Sequence, residues 1–158
     1  MNRIFLLSGP IHTGKTTRIT DWIKDKDDVD GILQPVIDGK RYIKHILSGE
    51  IRPLEIPPDT KQKNIIIIGN YRFDNDVFTW SRKELLLAYT KNPEWLIIDE
   101  VGKLEMDGKG LEPIISKILN ELNDHKNIKL VFVVRDYLVP DFLSKYCLRK
   151  NDIQILDV

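Results

Sequence analysis

Residues 9–16 read Gly-Pro-Ile-His-Thr-Gly-Lys-Thr, the spacing G-x-x-x-x-G-K-[ST], directly after the apolar run Ile4-Phe5-Leu6-Leu7. This pattern demands a strand, a tight loop and a helix in that order. The helix is signalled by Ile19, Trp22 and Ile23, which share one face at i, i+3, i+4. The eight-residue pattern also arises by chance, and its context is what gives it weight here. The two glycines let the backbone curl round an anion with no Cβ in the way. Amide N–H groups then converge on that anion at the positive end of a helix. The expected phosphate-binding set is Gly9, Pro10, Ile11, His12, Thr13, Gly14, Lys15, Thr16 and Thr17. Lys15 is expected to reach the terminal phosphates, and the Thr16 hydroxyl to hold Mg²⁺. The His12 imidazole is expected to face solvent or pack on the loop.

Further apolar runs follow at intervals. Ile65–Ile68, Leu96-Ile97-Ile98 and Leu130–Val134 read as strands buried on both faces. Helices are expected over about 76–91, over 111–123 with Pro113 in the first turn, and near Pro140. Ile153, Ile155 and Leu156 give a last strand. Alternating buried strands and helices predict a three-layer α/β fold around a mostly parallel sheet. Asp38-Gly39 separates two strand-like runs, a strong two-residue hairpin signal because both turn positions need φ > 0. Residues 29–56 are therefore expected to form an inserted antiparallel hairpin or meander.

The second chemical signal is Trp95-Leu96-Ile97-Ile98-Asp99-Glu100, a buried strand ending in two acids. Ligands of open α/β sheets collect at the carboxyl ends of the strands. Asp99 is expected to emerge beside the phosphate loop and, with Thr16, to hold Mg²⁺. Glu100 is placed to position and deprotonate an attacking water. After a strand, Asp-Glu is otherwise an ordinary solvated loop or helix cap. Arg135 ends another buried strand at the same edge. It is expected either to stabilise charge on the transferring phosphoryl group or to pair with Asp136 or another acid. The catalytic set is thus Lys15, Glu100 and Arg135. Lys103 and Glu105 are expected to pair, to meet substrate or to be solvated. Trp80, Tyr71 and Tyr89 are expected in the core, with base stacking as the other role open to them. His45 and His125 read as lone surface residues without metal-ligand spacing.

The 158 residues suit one domain spanning 1–158. With 24 basic and 24 acidic residues the net charge is zero, which predicts neither a nucleic-acid partner nor a membrane surface. Cys147 is the only cysteine, so no internal disulfide forms; it reads as a small buried hydrophobe. No apolar stretch reaches membrane-spanning length, and Met1-Asn2-Arg3 runs straight into a strand. A cytoplasmic location is expected.

Three segments together resemble a known family. These are Gly9–Thr17, Gly69-Asn70-Tyr71-Arg72-Phe73-Asp74 and Ile97-Ile98-Asp99-Glu100-Val101-Gly102-Lys103-Leu104-Glu105. They are similar to the thermophilic-type, cancer-related family of small P-loop nucleoside-triphosphatases. The resemblance covers most of the chain and is loosest over 29–62. It implies a RecA-like core and Mg²⁺-dependent hydrolysis of nucleoside triphosphates, ATP and GTP included, with broad base preference. Two departures stand out. The family's loop usually reads Gly-x-Pro-Gly-x-Gly-Lys-Thr, where this chain has Pro10-Ile11-His12-Thr13 between its glycines. A basic residue often follows the glycine matching Gly69, where this chain has Asn70, with Arg72 two residues on.

The residues leave competing functions open. A small-molecule kinase, of nucleoside or nucleotide type, would use the same phosphate loop, but Arg41, Arg52, Arg72 and Arg82 are scattered rather than gathered in a lid. Asp99-Glu100-Val101-Gly102 also fits the D-x-x-G of a GTP-operated switch, yet no Asn-Lys-x-Asp segment follows to read guanine. Hydrolysis with Glu100-activated water is the reading best matched by adjacent Asp99 and Glu100.

Overall fold

The computed structural model describes residues 3–10, 13–61, 64–124 and 127–158. Ile11 and His12 of the phosphate loop, and His125, lie outside the described residues. The chain opens with strand β1 (Ile4–Gly9) and helix α1 (Lys15–Ile23), as the loop pattern demands. Strands β2 (Val29–Leu33), β3 (Val36–Ile37), β4 (Lys40–His45) and β5 (Ile51–Pro53) follow. Next come the pair β6 (Ile65–Ile68) and β7 (Tyr71–Asp74), helix α2 (Asn75–Thr90), strand β8 (Trp95–Val101) and helix α3 (Lys103–Met106). Helix α4 (Ile114–Glu121), strand β9 (Lys129–Arg135), helix α5 (Val139–Lys145) and strand β10 (Ile153–Ile155) complete the order.

The main sheet runs β10-β1-β9-β8-β2-β4-β3, with β5 also paired to β4. From β10 to β2 every pairing is parallel. Side-chain alternation sorts the strands into two cores. Phe5, Leu7, Ile97, Val131 and Val133 pack with Ile19 of α1 on one face. Ile4, Leu6, Leu96, Ile98, Leu130 and Phe132 pack on the other against Leu85 and Tyr89 of α2, Ile115 and Ile118 of α4, and Phe142 of α5. The fold is therefore three-layered, with helices on both faces of a mostly parallel sheet. No helix among the described residues is long and apolar enough to cross a membrane.

Four local expectations need correction. Residues 29–33 do not open the antiparallel insertion: Val29–Ile32 pair in parallel with Trp95–Ile98, and β2 belongs to the sheet's body. Gly31 makes this possible, since its φ is 126° and a Cβ there would lie 2.1 Å from the Ile97 carbonyl oxygen. The antiparallel part begins after β2, with β4 turning back on β2 and on β3 through Asp38 and Gly39, both at positive φ. Second, Ile65–Ile68 is not a buried parallel strand. Among the described residues it pairs only with β7, and Ile67 is 70% exposed while Ile66 and Ile68 lean on the core. Four consecutive isoleucines suit either environment, and the sequence has no alternation to separate them. Third, α4 is shorter than the 111–123 stripe: Leu111 precedes it, Pro113 caps it, and Leu122–Asp124 is a 3₁₀ turn. Fourth, Cys147 is exposed, at the positive φ of the turn that ends α5.

Candidate active site at the carboxyl edge of the sheet

The first residues of the Gly9–Thr16 loop, Gly9 and Pro10, hold its own lysine. Gly14, at φ 73°, is the residue before α1 and turns the chain into the helix. A Cβ at Gly9 would come within 3.2 Å of the Thr13 hydroxyl, closer than ordinary van der Waals contact. The Thr13 hydroxyl donates to the Pro10 carbonyl at 2.7 Å. The Lys15 ammonium donates to the carbonyls of Pro10 (2.6 Å) and Gly9 (3.2 Å), so it lies folded along the loop. Burial holds this ammonium below its ordinary pKa, with Glu100 pulling the other way. Thr16 and Thr17 occupy the first turn of α1, and Thr17 faces solvent.

Asp99 lies on the same face of β8 as Ile97, which is the face that α1 covers. Strand parity therefore aims the carboxyl at the start of that helix. The Thr16 hydroxyl donates to Asp99 Oδ2 at 2.8 Å, and the Gln34 amide donates to the same oxygen at 3.1 Å. Asp99 is fully buried, and its other oxygen, Oδ1, has no hydrogen-bond partner. Burial, then the charge of Glu100, pushes this carboxyl up to about 7 against those two hydrogen bonds.

Beyond Asp99 the ladder with β9 slips. Asp99 pairs with Val133 and Val101 with Val134, leaving Glu100 in an irregularity. Val101 then joins Ile98 in the second core, and Glu100 stands at the strand's end. Its two oxygens are held by different arginines. Arg135 Nε lies 2.7 Å from Oε1, and Arg41 Nη1 lies 3.1 Å from Oε2. Arg135 thus pairs with Glu100 rather than Asp136, whose carboxyl accepts from the Tyr137 amide. Burial works to lower the Arg135 guanidinium, but Glu100 and Tyr137 outweigh it and hold it above its ordinary pKa.

A cavity of about 470 Å³ joins these parts; Gly14, Lys15, Thr16, Asp99, Glu100 and Arg135 all line it. Thr13 and Thr17 line it too, whereas Gly9 and Pro10 do not and meet the group only through their carbonyls on Lys15. Arg41 and Gln34, which also line it, were not singled out by sequence as site residues. Arg41 is carried by the β3–β4 hairpin, and nothing in the local pattern tells which way that hairpin folds. Arg72 is not part of this cavity: its guanidinium donates to the Pro58 carbonyl. Lys103 and Glu105 do not pair. Glu105 is buried and accepts from the amides of Gly102 (2.8 Å) and Leu111 (2.9 Å), while Lys103 is exposed. His45 is no surface residue. It is buried, with Nε2 2.9 Å from Asp30 and Nδ1 2.8 Å from the Ser48 hydroxyl. Trp80 and Tyr89 are core residues, whereas Tyr71 is 39% exposed.

Two solved structures share this fold. THEP1 from the hyperthermophile Aquifex aeolicus aligns with a TM-score of 0.75 at 18% identity, covering 98% of this chain and 88% of the other. A human cancer-related nucleoside triphosphatase aligns with a TM-score of 0.62 at 20% identity, covering all (100%) of this chain and 89% of the other. No match was found among curated proteins. The NTPase family model matches residues 4–158, nearly the whole sequence, and the chain belongs to the NTPase family.

Proposed function

We propose that the protein is an Mg²⁺-dependent nucleoside-triphosphatase that removes the terminal phosphate of ATP, GTP and related nucleotides, with Glu100 as general base toward water. The observation that carries the reading is the 2.8 Å hydrogen bond from Thr16 to Asp99, which ties the phosphate loop to the acidic end of β8. Membership of the NTPase family and the likeness to a nucleoside triphosphatase support it.

The residues fit a hard divalent cation. Asp99 Oδ1 is buried without a partner, and the Thr16 hydroxyl keeps its lone pairs because it acts as donor to Asp99. Both are oxygen ligands of the kind Mg²⁺ takes. Among the described residues no cluster of three or more His, Cys, Asp or Glu could hold a metal by itself. Phosphate oxygens and water would complete the shell around Thr16 and Asp99. The ion would neutralise charge on the phosphates.

The chain's own groups divide the rest of the work. Loop amides and Lys15 bind the polyphosphate, with Lys15 exchanging the carbonyls of Gly9 and Pro10 for phosphate oxygens. A γ-phosphate arriving at Glu100 competes for both guanidiniums. Arg41 and Arg135 turn to the phosphoryl oxygens, where charge-assisted hydrogen bonds favour the transition state. Glu100, released from one or both partners, takes a proton from water as its oxygen attacks phosphorus. The bond to the β-phosphate oxygen breaks, giving nucleoside diphosphate and phosphate.

The test is phosphate release from ATP, GTP, CTP and UTP by the wild type and Glu100→Gln. Loss of the base is expected to cost on the order of 10²–10⁴ in kcat. Full turnover in the variant would remove Glu100 from this role, and no release from any nucleotide by the wild type would end the hydrolytic reading.

A further inference from the structure

A second cavity, of about 330 Å³, adjoins the first and is not used by hydrolysis as derived above. Gln34, Arg41, Glu100 and Arg135 line both cavities. The Arg41–Glu100–Arg135 cluster is thus a partition, with the phosphate loop on one side and the second cavity on the other. The far wall is the tip of the β6–β7 hairpin, and α3 closes another side.

This space is built for more than water. Phe73, Phe78 and Leu104 give it apolar walls. Tyr71 offers a ring stacked on Phe73 at 5.8 Å between centroids, with the Arg41 guanidinium 5.5 Å from its own centroid. Lys103, Arg41 and Arg135 supply positive charge, against the carboxyls of Glu100 and Glu105. With Arg41 and Arg135 turned to the phosphoryl group, Lys103 is, among the described residues, the cation left to this cavity, and an aromatic shelf beside its exposed ammonium suits a small anion with an apolar body. The volume falls at the lower end of small-molecule sites, which run from about 300 to 1,000 Å³. The nucleotide's phosphates approach Glu100 from the loop side, so a molecule in this cavity meets the same carboxylate from the other.

We propose that the second cavity is a phosphoryl-acceptor site, taking a small anion with an aromatic or apolar body and a hydroxyl group that stands in for water at Glu100. The proposal rests on the reading of the phosphate loop and Glu100 given above. The hydroxyl oxygen bonds to the γ-phosphorus, and its proton passes to Glu100. The bond from that phosphorus to the β-phosphate oxygen breaks, and its electron pair leaves with the nucleoside diphosphate. The products are nucleoside diphosphate and a phosphate monoester. With the cavity free of such a molecule, water enters and the outcome is hydrolysis.

The probe is 4-(hydroxymethyl)benzoate, with 4-(hydroxymethyl)benzylamine as its cationic counterpart. Each is added to the full chain with Mg²⁺ and ATP, ester formation is followed by ³¹P NMR, and binding is followed by calorimetry with a non-hydrolysable ATP analogue. The benzoate is expected to bind saturably, about tenfold or more tighter than the amine, and to yield its phosphate ester. Ile68→Trp, which fills the cavity from the hairpin, and Lys103→Glu, which inverts charge at an exposed position, should each weaken binding by about tenfold or more. Both should leave phosphate release from ATP alone within about twofold, as expected for residues that bear only on the acceptor. Absence of the ester in the wild type, or benzoate binding that survives both variants, overturns the acceptor site. A raised KM for ATP in Ile68→Trp would place the nucleoside base in this cavity and also overturn it. Failure of the hydrolytic reading looks different: the wild type then releases no phosphate even without the probe.

Discussion

Arg41 holds Glu100 at 3.1 Å across 59 residues of sequence, from a hairpin at the margin of the main sheet to the end of its central strand. Both side chains are largely buried, and Arg135 takes the carboxylate's other oxygen at 2.7 Å. Both oxygens of the carboxylate are thus engaged by guanidinium groups. In the proposed hydrolysis the same two arginines would become transition-state ligands once a phosphoryl group displaces the carboxylate. Arg41→Ala and Arg135→Ala are each expected to lower kcat by on the order of 10²–10³, with a smaller change in KM. The double variant should lose less than the product of the two, since both act on one group. Steady-state kinetics decides this. A rise in KM at unchanged kcat would leave the arginines with a role in ground-state binding only.

Asp99 faces α1 with one oxygen satisfied by Thr16 and Gln34 and the other without a partner. Asp99→Asn keeps an acceptor for those two donors but replaces the orphan oxygen's charge. The Mg²⁺ concentration for half-maximal activity is expected to rise by about tenfold or more, the scale of losing one charged ligand contact. Metal titrations of the two proteins, with matched thermal unfolding, test it. An unchanged metal requirement would take Asp99 out of the metal site.

Glu105 gives a pH dependence of stability. Burial pushes its carboxyl from 4.5 up to about 7, against hydrogen bonds from the amides of Gly102 and Leu111. The folded chain then binds more protons than the unfolded chain between those values, so stability falls as pH rises from about 4.5 through 7. The loss attributable to this group is on the order of 3 kcal/mol. Glu105→Gln cannot ionise and should show a flatter profile. Thermal unfolding of both proteins at pH 5 and pH 8 is the measurement, and parallel profiles would contradict the assignment.

Gly31→Ala should destabilise the fold without touching any group of the site. The new Cβ would lie 2.1 Å from the Ile97 carbonyl oxygen, at a φ of 126° that disfavours side chains. Separation of β2 from β8 is expected to cost roughly 3 kcal/mol or more, at the large end for single substitutions. Chemical denaturation checks the magnitude.

The candidate site was legible in part because its two ends are written in local patterns. The glycines and lysine of the phosphate loop, and a hydrophobic run ending in Asp99 and Glu100, each state a backbone geometry within a few residues. Strand parity then carries the prediction further: with Ile97 in the core beneath α1, Asp99 had to face the same way. Ile65–Ile68 shows where such reasoning stops. Its composition fits a buried strand, and only its partner β7 reveals a small separate sheet. Val29–Leu33 shows the converse. Its local pattern groups it with the hairpin that follows it, but Gly31 lets it lie against Ile97 in the parallel body.

Sequence alone therefore determined the strand–loop–helix around Gly9–Thr16, the buried strands β1, β8 and β9, the Asp38–Gly39 turn and the acids at the end of β8. Each depends on periodicity or on a conformation that few residues allow, and both are properties of neighbouring residues. The tertiary structure alone decided that Arg41 crosses to Glu100, that Arg135 prefers that partner to Asp136, and that a second cavity opens behind them. Those relationships join residues distant in the chain, and they follow from how the hairpins pack on the sheet, which no local pattern encodes.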